Sequence, residues 1–222
     1  IFIMAKTILT KRQQQLLTLL SEEKHIQQHF YLSGGTALAE YYLKHRLSED
    51  LDFFSLLEVN PKTIQILFKR IKEKIHFEKV TFENSFNRNL FFLHFPDEVL
   101  KTEFTYYPFE QIEQPKKMGL LKIDSLMDIA VNKADTILTN PRTRDFIDLY
   151  LILQKEQWIF TDMVKQARAK FDIGFDALHI AQQLLAVSEV KDYPRMIIPF
   201  DFKKCEDFWL QEAQQLKNDI LK

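Results

Sequence analysis

The chain has 222 residues, 46% of them hydrophobic, and its 30 Lys+Arg nearly balance its 31 Asp+Glu. That composition excludes a disordered chain, gives no global positive field to gather nucleic acid, and leaves no apolar run near the ~20 residues that cross a bilayer. One cysteine, Cys205, excludes an internal disulfide or a cysteine metal cluster and fits a reducing cytoplasm.

Twenty Phe against four Gly indicates packed structure with few flexible links, and the length suits a catalytic domain with an appendage. Ile1-Phe2-Ile3 is too short for the apolar core of a secretion signal, and Met4 is expected to be the natural start. A cytoplasmic protein with no membrane partner is expected.

Residues 10–30 place Leu16, Leu17, Leu20 and Ile26 among polar side chains, the pattern of an amphipathic helix. Phe30, Tyr31 and Leu32 then read as extended chain running into a Ser33-Gly34-Gly35 turn, with Thr36 opening a helical run over 37–44. Backbone N–H groups at such a helix start lack partners, and glycine admits a ligand close to the backbone, so the turn is a candidate phosphate cradle. Arg46 and Ser48 lead into Glu49-Asp50-Leu51-Asp52-Phe53-Phe54. On a strand Asp50 and Asp52 face the same way, roughly 6.6 Å apart at about 3.3 Å per residue. Two such carboxylates repel unless a cation joins them, and Mg²⁺ (or Mn²⁺) completed by substrate phosphates is the expected cofactor.

Asn60-Pro61 reads as a cap and first residue of a helix over 61–75, with Ile64, Leu67, Phe68 and Ile71 inward. Strands are expected at 77–83, 89–95 and 100–107, with turns at 84–88 and Pro96-Asp97. The last of these strands would put Lys101, Glu103 and Thr105 on one face and Thr102, Phe104 and Tyr106 on the other. This order predicts an α+β fold, a mixed sheet with helices on one side. Residues 108–119 read as a connection. Helices are expected at 124–138 with Asp124 as cap, then, after Asn140-Pro141, at 142–155, 161–169, 175–187 and from about 201 to 221. Domains of 1–115 and 116–222 follow.

Local basic clusters such as Lys69-Arg70-Lys72-Lys74 and Lys203-Lys204 are more often solvated faces than nucleic-acid contacts. Of the six histidines only His25 and His29 stand four apart, without the glutamate of an HExxH motif; Ser33 and Ser48 have no recognisable His/Asp partner set, and neither GxxxxGK[ST] nor GxGxxG is present.

Gly34-Gly35-Thr36-Ala37-Leu38-Ala39 and Arg46-Leu47-Ser48-Glu49-Asp50-Leu51-Asp52-Phe53-Phe54, followed by Lys133-Ala134-Asp135 and the RDxxDL stretch within Arg142 to Tyr150, resemble the AbiEii-type toxins. These belong to bacterial abortive-infection and type IV toxin–antitoxin systems and to the DNA polymerase β-like nucleotidyltransferase superfamily. The resemblance implies a nucleotidyltransferase core followed by a helical C-terminal part that supplies Lys133 and the RDxxDL helix. It implies transfer of an NMP from an NTP to RNA, particularly tRNA, with release of pyrophosphate, and a cognate antitoxin. Asp50 and Asp52 would bind metal, and Glu103 would be the third carboxylate, although the family commonly has Asp there. Lys133 would contact the nucleotide phosphates, with Asp148 supporting it or the metal, and Gly34, Gly35, Thr36, Arg46, Ser48, Arg144 and Asp145 would complete nucleotide binding. A buried Arg144–Asp148 pair joining two helices is the structural alternative. The functional rivals are transfer to a protein or small-molecule hydroxyl, and a catalytically silent member that binds nucleotide or a partner.

Overall fold

A computed structural model describes residues 7–220, so the expected start at Met4, the Ile1-Phe2-Ile3 segment and the helix end at 221 lie outside the described residues. Contacts divide the chain into two units: one runs to Glu110 and takes in Gln114–Ser125, the other comprises Gln111–Glu113 and everything from Leu126.

The first unit is built on a seven-stranded mixed sheet. Its strands are β1 (Tyr31–Ser33), β2 (Leu51–Ser55), β3 (Lys79–Ser85), β4 (Arg88–His94), β5 (Val99–Tyr106), β6 (Lys116–Met118) and β7 (Leu121–Ile123), in the spatial order β3-β4-β5-β2-β1-β7-β6. β2 runs parallel to β5 and β1 parallel to β7, while the remaining neighbours are antiparallel. The period-two alternation does what it dictates. Leu51, Phe53, Phe91, Leu93 and Phe104 are all buried, and Phe53 stacks on Phe104 with ring centroids 5.1 Å apart.

Helix α4 (Pro61–Ile75) covers that apolar face, with Phe68 against Phe91 and Phe104 at 5.2 and 6.2 Å. It starts as its sequence requires: the Asn60 side chain accepts from Lys62 N, and Pro61 occupies the first turn. Where one helix is expected over 10–30, two form, α1 (Lys11–Ser21) and α2 (Lys24–His29), with Glu22 and Glu23 between them. A reciprocal Thr10–Gln13 capping box opens α1. The short helix α3 (Gly34–Leu38) begins at the glycines rather than after Thr36 and passes into a π-helical turn, Ala39–Leu43, which ends at Lys44 in the left-handed region.

β6 and β7 form a hairpin inside the stretch expected to be a bare connection. Leu32 pairs with Ile123 and accepts from Asp124 N, so residues up to Ser125 stay with the sheet and the expected boundary after 115 moves later. Asp124, expected as a helix cap, accepts the Ser33 hydroxyl at 2.7 Å.

The second unit is helical: α5 (Leu126–Thr139), α6 (Thr143–Glu156), α7 (Phe160–Phe171), α8 (Ala177–Leu185) and α9 (Phe202–Ile220). Trp209 of α9 is fully buried against Phe146 and Phe160 and donates its indole N–H to Phe146 O at 3.1 Å, which satisfies its polar atom inside the core. No helix among the described residues is long and apolar enough to cross a membrane.

Candidate active site

The polar face of the sheet collects the expected acids. In register across three neighbouring strands stand Ser33 of β1, Asp52 of β2 and Glu103 of β5. Asp50, just ahead of β2, lies beside Lys101, whose ammonium is 2.7 Å from its Oδ2, with both side chains about a third exposed at 27% and 32%.

The glycine turn and the acid pair hold each other. Gly34 has φ +70°, and a Cβ there would come within 2.6 Å of Asp52 Oδ2, so glycine is required both by the backbone and by the carboxylate lying on it. A Cβ on Gly35 would run into the Arg46 guanidinium and lie 3.2 Å from Ser48 Oγ. Thr36, fully buried, gives its hydroxyl to Asp50 O. The side of the turn that a Cβ would occupy is therefore filled by Asp52, Arg46 and Ser48. The close approach that the glycines allow is made on that side by the protein's own side chains. Buried Gln13 secures the same loop from α1, donating to Ser48 O at 2.9 Å and Glu49 O at 3.0 Å. Gln13 carries no sequence signal beyond its place in the capping box.

Glu103 sits where the third carboxylate was expected, but a cation of the chain already holds it. Arg88 of β4 grips both oxygens, Nε to Oε1 at 2.7 Å and Nη2 to Oε2 at 2.6 Å, and Thr105 Oγ1 donates to Oε1 at 2.5 Å. Burial alone would raise the pKa of Glu103, yet the hydrogen bonds from Arg88 and Thr105 outweigh it and hold the carboxyl below its ordinary range. Among the described residues no three His, Cys, Asp or Glu side chains are gathered to hold a metal ion, so Asp50, Asp52 and Glu103 do not form a three-carboxylate cage. Asp50 and Asp52 do fit a hard divalent cation as a two-carboxylate set, the number commonly supplied to Mg²⁺ when substrate phosphates and water provide the rest. Arg88, unnoticed in a stretch read only as a turn, and Lys101, visible in the alternation as sharing the Glu103 face, are the cations that sequence reasoning did not assign.

The remaining expected residues belong to the helical unit. Lys133 of α5 pairs with Asp145 Oδ1 at 2.5 Å and Asp148 Oδ2 at 2.9 Å, and Arg142 Nε approaches Asp145 Oδ2 at 2.8 Å. Burial would raise the pKa of Asp145, but Lys133 and Arg142 overcome it and the net shift is downward. The alternative Arg144–Asp148 pair does not form, and among the described residues Arg144 has no ion-pair partner.

A mixed sheet with flanking helices, an adjacent glycine turn and an acid pair across it define the nucleotidyltransferase fold class. Two solved structures share this fold: a Helicobacter pylori protein provisionally described as a nucleotidyltransferase (TM-score 0.59, 18% identity, 96% of this chain and 99% of that one) and JHP933 of the same organism (0.57, 17%, 95% and 94%). An uncharacterised protein of Aquifex aeolicus is 28% identical over 84% of this chain and 87% of its own length. The model of the family described as nucleotidyl transferase AbiEii toxin, type IV TA system, matches residues 18–213, and the chain belongs to that family.

Proposed function

We propose that the protein is a divalent-metal-dependent nucleotidyltransferase that moves an NMP from an NTP to a hydroxyl of RNA, with tRNA the leading acceptor, and releases pyrophosphate. The observation that carries this is the setting of two successive acids, Asp52 lying against Gly34 and Asp50 held through its carbonyl by the Thr36 hydroxyl. Family membership supports nucleotide transfer in general and an antitoxin as partner.

When bound, Mg²⁺ would be held by Asp50 and Asp52 and would polarise the phosphate oxygens, so that negative charge building at the α-phosphorus is offset. The chain's own residues then have distinct tasks. Asp52 is placed by the glycine against which it lies, and Asp50 by the Thr36 hydroxyl on its carbonyl. Lys101 supplies Asp50 with a partly exposed countercharge. In the helical unit, Asp145 and Asp148 take two of the N–H groups of Lys133, which fastens that unit from within.

Mass spectrometry of total RNA after incubation with each of the four NTPs and Mg²⁺ tests the reading. An RNA class gaining the mass of one nucleotide monophosphate is the expected result. Labelled protein or small molecule with unmodified RNA would replace the acceptor, and no transfer to any pool would leave a binding protein.

A further inference from the structure

The hairpin of β3 and β4 turns through Phe86 and Asn87, between the paired residues Ser85 and Arg88. Phe86 has φ +52° and is 97% exposed. A positive φ at the first position of a two-residue hairpin loop is the place of glycine, and a bulky L side chain there is strained. Such strain is ordinarily offset by burial, but this ring buries almost nothing. The turn is nonetheless firmly held: Tyr106 N donates to Asn87 O at 2.9 Å, and the Asn84 amide reaches Arg88 O at 3.3 Å and Asn89 Oδ1 at 3.2 Å. An aromatic ring is thus presented to water on a held turn, at a conformational cost.

Two residues on, Arg88 is held by Glu103 through Nε and Nη2, which uses two of its five N–H groups and leaves the others on a side chain that is 54% exposed. Glu103 is the register partner of Asp52, so this guanidinium lies on the same sheet face as the acid pair. A planar cation with spare donors beside a presented aromatic ring is the pair of groups that single-stranded nucleic acid engages, phosphate on the one and an unstacked base on the other.

We propose that the β3–β4 hairpin tip binds the acceptor RNA as a single strand: Phe86 stacks on an unpaired base, Arg88 holds an adjacent phosphate, and Glu103 is the positioning residue that aims Arg88. The inference rests on RNA being the acceptor. It assigns Glu103 to the substrate strand through Arg88 and leaves the metal to Asp50 and Asp52.

The test is fluorescence anisotropy of a short fluorescein-labelled single-stranded RNA against the full chain, with thermal unfolding alongside. Phe86→Gly should weaken RNA binding roughly 5- to 100-fold while raising the melting temperature, because glycine relieves the positive φ. Phe86→Trp should retain binding. Arg88→Ala should weaken binding and shrink the slope of log affinity against log salt by about 0.7, the share of one phosphate contact on a single strand. Wild-type affinity and salt slope in both Phe86→Gly and Arg88→Ala would overturn the hairpin assignment and leave the RNA reading standing. A wild-type chain that binds no RNA would overturn both.

Discussion

The two units place their charges in opposite physical settings. On the sheet, Asp50 and Lys101 are both about a third exposed, and Arg88 is more than half exposed where it meets Glu103. In the helical unit, Lys133 is 9% exposed and Asp145 and Asp148 are at 0%. An exposed pair contributes about 0–1 kcal/mol and exchanges readily, whereas removing one partner of a buried set leaves uncompensated charge at a cost of about 3–5 kcal/mol. A side chain that must let go to receive a metal or a phosphate belongs in the first setting. The Lys133 network has the energetics of a structural fastening, and its mutants report on folding before they report on nucleotide.

Lys133→Ala draws the contrast most strongly. It strands two buried carboxylates and should lower stability by about 3–5 kcal/mol in urea unfolding. A loss below about 1 kcal/mol would show that water reaches the pair and would return Lys133 to the exchangeable class. Gly34→Ala should come next, costing about 1–3 kcal/mol through its positive φ and the contact with Asp52 Oδ2 and displacing that carboxylate, read as reduced stability together with weaker Mn²⁺ binding.

Acid should weaken both units, because Glu103 on the sheet and Asp145 in the helical unit are both held low. The pKa of Asp145 is lowered in the folded state, so the stability it confers is fully present above its ordinary value of 3.8 and is lost as pH falls through the depressed value. Melting temperature should therefore drop below about pH 4, and Asp145→Asn should flatten the slope in that window. The smallest effect expected is that of Lys101→Met, which removes a competing cation from Asp50: Mn²⁺ affinity by calorimetry should rise roughly threefold to tenfold, with stability changed by no more than about 1 kcal/mol.

Much of this was legible in the chain because short-range chemistry determined it. Asn60-Pro61 had to start a helix, the alternation from Lys101 to Tyr106 had to sort its faces, and Asp50 and Asp52 had to share one. What escaped depends on contacts distant in sequence. The 116–123 hairpin has weak strand character of its own and forms because Leu32 offers Ile123 an edge. Gly34 and Gly35 announced a close approach, yet only the fold could show that Asp52 and Arg46 are the groups that approach. Arg88 looked like turn residue until β4 paired with β5 and brought it over Glu103.

The decisive measurement is transfer of label from an α-labelled NTP to total RNA by the wild-type chain and by Asp50→Asn/Asp52→Asn, with Mg²⁺ and with chelator, alongside melting curves of both proteins. Wild type should label RNA only with the metal, and the double variant, folded and no less stable, should fall by about 10³-fold or more. Equal labelling by the folded double variant would contradict the assignment of the acid pair as the reaction centre.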